Sequence, residues 1–312
     1  QPISLDAIRA AQTRIKDAAI RTPLVRLNVD DAPADIYLKL ENLQPIGSFK
    51  IRGASNAMAL ASADDLARGV YTASAGNMAQ GVAWNARRLG VSCHVVVPDH
   101  APQTKLDAIT RLGGEIIKVS FDEWWQIIVT HRYAGLDGFF IHPVSDPAVM
   151  AGNGTIGLEI VDDLPDLDTV IIPYGGGGLS SGIASAIRAL KPDTKIYACE
   201  VETAAPLAPS LATGTLQEVE YTPSFVDGIG SGGVLPDMWA LVSQLLDGSL
   251  VMSLDEISAA IRLLLERNRV LAEGAGATSV AAALSGKAGG GKVVCIISGG
   301  NIDTAKVLEI LS

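Results

Sequence analysis

The chain is expected to be an α/β protein built as two three-layer domains with mostly parallel, twisted sheets. Three observations carry that expectation. Short β-branched runs alternate with helical patterns almost from end to end. The runs are continuously apolar, as strands covered by helices on both faces must be. Glycine clusters fall between a run and the following helix, at strand ends, where the chain must turn sharply.

Taken in order, the spacing predicts strands at residues 36–40, 69–73, 94–97, 115–119, 169–172, 195–198 and 293–297. Helices are expected at 77–89, 104–112, 124–133 and 179–190. Ser253 and Glu256 form a capping box, and Ile257, Ile261, Leu264 and Leu265 supply the apolar stripe of the helix that follows. Residues 287–291 are too few for a linker and are expected to be a turn. Two α/β blocks separate: residues 54–145, and the N-terminal residues 1–53 together with 146–312.

At 312 residues and 48% hydrophobic, the chain has ample core for one large or two medium domains. A net charge of −10 without a basic run argues against nucleic-acid binding, which needs a positive face. Cys93, Cys199 and Cys295 each sit in or beside an apolar strand-like run, which points to reduced core thiols rather than a disulfide frame or metal cluster. No apolar run reaches spanning length and no signal-peptide pattern opens the chain, so no membrane association and a cytoplasmic location are expected.

The peptide Ser48-Phe49-Lys50-Ile51-Arg52-Gly53 places a lysine among apolar and small residues at the start of a helical run. Desolvation lowers the pKa of such a lysine and makes its amine able to form an imine with an aldehyde. Alone, the hexapeptide is more often met by a solvated lysine. A second element changes the balance. The strand at 169–172 runs into Gly175, Gly176, Gly177, Gly178 and Leu179 before a helix. Exposed backbone N–H groups and the helix dipole there make a cradle for a phosphate. The loop lacks the lysine of a nucleoside-triphosphate loop and the acidic partner of a dinucleotide site. In Ser74-Ala75-Gly76-Asn77-Met78, the serine hydroxyl, the free N–H groups and the asparagine amide can hold a carboxylate; an ordinary helix cap by Ser74 or Asn77 is the competing possibility. Ser298, in Ser298-Gly299-Gly300-Asn301, lies where open α/β folds bind ligands.

These elements, with residues 151–159 and Asp227-Gly228-Ile229, resemble fold-type II pyridoxal-phosphate enzymes over nearly the whole chain, most closely the serine/threonine dehydratase and serine racemase branch. The resemblance implies a tryptophan synthase beta-like fold, with residues 54–145 as the small substrate-side domain and the remainder binding pyridoxal 5'-phosphate. It implies that Lys50 holds the cofactor as an imine and shuttles a proton, with Ser74 as a second catalytic residue. Phe49 would pack on the ring, Asn77 meet its 3-hydroxyl, and Gly175, Gly176, Gly177, Gly178 and Leu179 take the phosphate. Ser298 would face the pyridine nitrogen. Ser74, Ala75, Gly76, Asn77 and Met78 would seat the substrate carboxylate. The implied reaction is β-elimination of a 3-hydroxy amino acid such as L-threonine or L-serine to a 2-keto acid and ammonia, by a homo-oligomer, a dimer.

Three departures from the family pattern bear on this. Ala75 stands where related racemases carry a serine acid/base. Met78 replaces a common histidine and makes part of the substrate wall apolar, which favours an uncharged β-substituent over 3-hydroxyaspartate; Arg52 is the remaining nearby cation. Glu200 and Ala204 match two members of the family's cation site, but Pro206 replaces its aspartate, so no metal is expected. A racemase, a β-replacement enzyme of the cysteine synthase kind and a non-catalytic phosphate- or flavin-binding module remain as alternatives. The β-replacement loops usually read TSGNTG and GTGGT, which this chain does not. Ser312 follows closely on the last motif, so an appended regulatory domain is not expected. Trp124 and Trp125 cannot both face one side of a helix, and one of them is expected to seal an interface or cleft.

Overall fold

A computed structural model describes residues 1–312. Ten strands form two sheets. The larger has the order β1-β2-β10-β7-β8-β9, from Leu24–Arg26, Asp35–Leu40, Lys292–Ile297, Thr169–Pro173, Lys195–Val201 and Gly248–Met252. Only β1 is antiparallel, against β2; the other neighbours run parallel. The smaller sheet is all parallel, in the order β5-β4-β3-β6, from Glu115–Val119, Cys93–Pro98, Val70–Ala73 and Phe139–Phe140. The seven expected strands are all present. The three additional ones, β1, β6 and β9, are the edge strands of three and two residues and a strand opened by Gly248-Ser249, all too short or too weakly β-branched to stand out.

Both faces of the large sheet are covered, as the unbroken apolar runs require. Along β10, Val293, Cys295 and Ile297 enter one core with Ile36, Leu38 and Ile171, while Val294 and Ile296 enter the other with Val170, Ile172 and Ala198. The three cysteines are free and buried. The expected capping box holds: Ser253 Oγ accepts from the Glu256 N–H, and Glu256 accepts from the Ser253 N–H at 2.8 Å. The helix expected at 124–133 instead spans Phe121–Thr130, because Ser120 caps it by accepting from the Glu123 N–H and His131 turns left-handed at φ 57°. No helix is long and apolar enough to cross a membrane.

Three helices place Lys50. Lys50–Leu60, Pro147–Asp163 and Gly178–Leu190 pack so closely that backbones touch: a Cβ at Gly152 would lie 2.4 Å from the Arg52 carbonyl oxygen, and one at Gly182 would lie 2.3 Å from that of Met150. Arg52 is neither a solvent-exposed ion pair nor a free cation. It is 1% exposed and forks onto Glu41 (Nη2 to Oε1, 2.8 Å) and Glu159 (Nη1 to Oε1, 2.7 Å). Lys39 completes the cluster, with its Nζ 2.7 Å from Glu159 Oε2 and donating to the Thr22 carbonyl at 2.7 Å. Two cations and two carboxylates thus satisfy one another out of water, and Arg52 holds the Glu41 carboxyl below its usual range against the opposing effect of burial.

Candidate active site

Lys50 is the first residue of the helix Lys50–Leu60. The peptide before it is stitched to the turn after β10: Phe49 N–H donates to the Ser298 carbonyl at 3.0 Å, and Gly300 N–H donates to the Gly47 carbonyl at 2.9 Å. Gly47 makes this possible with φ 72°. Two motifs some 250 residues apart are thereby brought edge to edge, joined at the bridge between Ser48 and Gly299. Lys50 Nζ donates to the Pro143 carbonyl at 2.7 Å and lies 5.3 Å from the Phe49 ring centre. Burial lowers its pKa to about 8, and the charge of Glu273 partly opposes that fall.

The glycine loop leaves β7 and enters the helix Gly178–Leu190 as expected. Gly177 has φ 96°. Side chains are excluded at two neighbours, since a Cβ at Gly176 would lie 2.6 Å from Val144 Cγ2 and one at Gly178 2.6 Å from the Val144 carbonyl. None of the N–H groups of residues 175–179 is taken by an acceptor of the chain. Five unpaired donors at a helix start form a cradle for an anion.

The turn at Ser74 resolves differently from a simple cap. The helix Asn77–Leu89 is capped by Gly76 without any side-chain bond. Ser74 Oγ accepts from the Gly76 N–H at 3.2 Å, and neither Ser74 nor Asn77 caps the helix. Asn77 instead donates to Glu273 and accepts from the Asn301 amide at 2.7 Å. A Cβ at Gly76 would meet nothing within 4 Å, so the loop opens onto free space.

All the residues singled out in the sequence, Phe49, Lys50, Ser74 through Met78, Gly175 through Leu179, and Ser298, line one cavity of about 340 Å³. Met78 contributes to its wall from within the core of the small sheet, where it is 1% exposed. Ser298 is 3% exposed at the end of β10. The same cavity is lined by residues that the sequence did not single out, Glu273 and, at the rim, His100, Lys105 and Phe121, and by Trp124 of the expected tryptophan pair. Asp227 and Ile229, from the Asp227-Gly228-Ile229 motif, also reach it. Glu273 is 8% exposed and its pKa is raised to about 7 by burial, with the Asn77 amide pulling the other way. In the sequence it sits before a run of small residues, Gly274-Ala275-Gly276-Ala277, where it passes for a helix cap. Of the tryptophan pair, Trp124 lines the cavity and Trp125 is exposed.

Comparison with known proteins agrees with this geometry. Residues 15–299 match the family described as "Pyridoxal-phosphate dependent enzyme". The chain is 41% identical to the L-threonine ammonia-lyase of Thermotoga maritima over 99% of its own length and 78% of that protein. It is 38% identical to the catabolic L-threonine dehydratase of Escherichia coli K12, over 99% of this chain and 96% of the relative. Among solved structures, maize serine racemase superposes with a TM-score of 0.92 at 32% identity, covering 100% of this chain and 97% of that one. A threonine deaminase from Solanum lycopersicum superposes with a TM-score of 0.88 at 34% identity, covering 100% and 90%. The chain belongs to the pyridoxal-phosphate dependent enzyme family, and its cofactor is pyridoxal phosphate.

Proposed function

We propose that this protein is an ammonia-lyase, which converts a 3-hydroxy amino acid of the threonine and serine class into a 2-keto acid and ammonia. The observation that carries this reading is the placement of Lys50, with its lowered pKa, in the same cavity as the unpaired N–H groups of residues 175–179. That pairing fits a ligand with an aldehyde at one end and a phosphate at another. The relatives named as L-threonine ammonia-lyase and dehydratase support it.

When bound, pyridoxal phosphate supplies an electron sink conjugated to the substrate's α-carbon, which makes the α-proton removable. The chain supplies everything else. Residues 175–179 hold the phosphate through backbone N–H groups and the helix dipole. Phe49 would pack against the ring, Asn77 would face its 3-hydroxyl and Ser298 its pyridine nitrogen. A serine there is a poor proton donor, which favours prompt loss of the β-hydroxyl over a long-lived carbanion. The loop from Ser74 to Met78 orients the substrate carboxylate, with Ser74 directing its hydroxyl toward the reacting group. Lys50, a neutral amine above about pH 8, takes the α-proton. The β-hydroxyl leaves as water. The released enamine takes up a proton, then exchanges its nitrogen for a water oxygen.

The same proposal assigns residues 54–145 to a substrate-side domain and residues 1–53 with 146–312 to a cofactor-side domain, in a cytoplasmic homodimer. Mass in solution tests the dimer. Keto-acid release from a panel of 3-hydroxy amino acids tests the activity, and its absence from every member sinks the reading.

A further inference from the structure

The walls of the cavity are not all used by the lysine, the glycine loop, the carboxylate loop and Ser298. What remains is an aromatic rim. Phe121 and Trp124, one helical turn apart at the start of the helix Phe121–Thr130, have ring centres 5.8 Å apart. His100 lies 6.0 Å from the Phe121 ring, and Pro98 continues the wall. The helix anchors itself to the small sheet through Ile127 and Ile128, which are buried, so Phe121 is not needed for that packing. Phe121 is 51% exposed beside a concave site, the kind of apolar surface that marks ligand contact. The Trp124 indole N–H is buried without any acceptor in the chain.

The charges near the rim are already matched. Lys105 Nζ sits 2.6 Å from Asp227 Oδ2, across the mouth of the cavity. His100 Nδ1 is 3.2 Å from Asp99 Oδ1. Arg52, the cation nearest Lys50 in sequence, is committed to Glu41 and Glu159. A second substrate carboxylate would find no free partner and would compete with Asp227 or Asp99 for one. A methyl group or hydrogen on the β-carbon would leave the two rings facing water.

From this we infer that the preferred substrate is a 3-hydroxy amino acid with an aromatic β-substituent, seated against Phe121 and Trp124. The inference rests on the ammonia-lyase reading and specifies its substrate class. For 3-phenylserine the balance is simple: the α-C–H and β-C–O bonds break, water leaves and is later taken up as nitrogen departs, and phenylpyruvate and ammonia result without any oxidant.

Two measurements on the holoenzyme test it. The first is kcat/KM for serine, threonine, 3-phenylserine and 3-hydroxyaspartate side by side. The second is a titration of the bound cofactor's visible absorbance with phenylalanine and alanine, which bind but have no β-hydroxyl to lose. The expected result is that 3-phenylserine exceeds threonine by at least about tenfold, roughly 1.4 kcal/mol, and that phenylalanine binds at least about tenfold more tightly than alanine. Phe121→Ala and Trp124→Ala should each lower the 3-phenylserine to threonine ratio by a similar factor. Turnover of threonine or serine with no aromatic advantage in either measurement overturns the inference and leaves the lyase reading standing. Tighter phenylalanine binding with no keto acid from any substrate overturns the lyase reading and leaves the aromatic site.

Discussion

The Asn77 amide nitrogen donates to both carboxylate oxygens of Glu273, at 2.9 and 3.2 Å, across 196 residues of sequence. Asn301 joins them, its backbone N–H donating to Glu273 at 3.2 Å and its side chain to Asn77. The three residues tie the loop from Ser74 to Met78, the helix Gly274–Leu284 and the turn after β10 into one wall of the cavity. No cation within hydrogen-bond reach balances Glu273, and burial therefore dominates.

The first prediction follows from that imbalance. Glu273 has a folded pKa of about 7 against an ordinary 4.5. Between those values the folded state holds the proton and the unfolded state releases it, so stability falls as pH rises through the window, and the penalty is complete above about pH 7. Glu273→Gln removes the titration. The melting temperature of the variant relative to wild type should climb by a few degrees between pH 5 and pH 8, reflecting on the order of 1–3 kcal/mol. A constant difference across that range would mean that Glu273 stays ionised in the fold throughout.

Lys50 predicts a reactivity profile. Its amine, with a pKa of about 8, is half neutral there, whereas an ordinary lysine is half neutral only at about pH 10.5. Reloading of cofactor-stripped protein, followed by absorbance, should reach half its maximal rate near pH 8. Borohydride reduction of the holoenzyme should label the peptide containing Lys50, and Lys50→Ala should abolish turnover. Labelling at Lys39 is ruled out by its burial against Glu159, and finding it there would refute the assignment.

Arg52 sits two residues from Lys50 and fixes its helix to Glu41 and Glu159. Arg52→Met leaves the buried Glu41 without a cation and Glu159 with Lys39 alone, which should cost about 3–5 kcal/mol and lower the melting temperature on the order of 10 °C. Arg52→Lys keeps a charge but loses the fork, and should fall between. An unchanged melting temperature for Arg52→Met would show that the cluster contributes nothing.

The features that could be recognised in the sequence are those whose cause is local. Thr169–Pro173 and Lys292–Ile297 announce themselves as unbroken β-branched runs, and the loop at residues 175–179 as more glycines than a turn requires. Glu273 and Arg52 could not be placed this way. Their partners lie 196 and 107 residues off, and the close packing of two helices at Gly152 brings the second pair together. Apart from Trp124, the aromatic rim escaped for the same reason: Phe121 and His100 are neighbours only because β4 and β5 are. Ser74 and Asn77 show the converse, in which the local cap held open as the competing possibility gave way to Gly76.

Glu200 carries the prediction about cations. Its carboxylate accepts from the Leu207 N–H at 2.8 Å, the Ala208 N–H at 2.9 Å and the Ser249 hydroxyl at 2.7 Å. These donors occupy the oxygens that a hard cation would need, and burial raises the Glu200 pKa, which disfavours the charge a cation would want. EDTA, magnesium and calcium should each leave the melting temperature within about 1 °C, well under the effect of losing a tight site. Stabilisation that saturates with calcium would show that the carboxylate rearranges to bind it.

The last prediction concerns stereochemistry. Lys50 can return a proton to the α-carbon only on the face from which it took it. Racemisation therefore needs a second proton carrier across the substrate. The cavity offers few. Ala75 contributes a methyl group and Gly76 no side chain, which leaves the Ser74 hydroxyl, its oxygen accepting from the Gly76 N–H, as the one hydroxyl of that loop. Glu273 is engaged by Asn77 and Asn301, and Lys105 and Asp227 hold each other at the rim. Formation of the opposite enantiomer should accordingly trail keto-acid release by at least about a hundredfold, roughly 2.7 kcal/mol of barrier. Ala75→Ser introduces a hydroxyl into the carboxylate loop and should raise racemisation relative to elimination. Chiral chromatography of substrate recovered from deuterium oxide decides the point. Inversion by the native enzyme at a rate near that of elimination would mean that one of the engaged groups, Glu273 first among them, is free to deliver the proton.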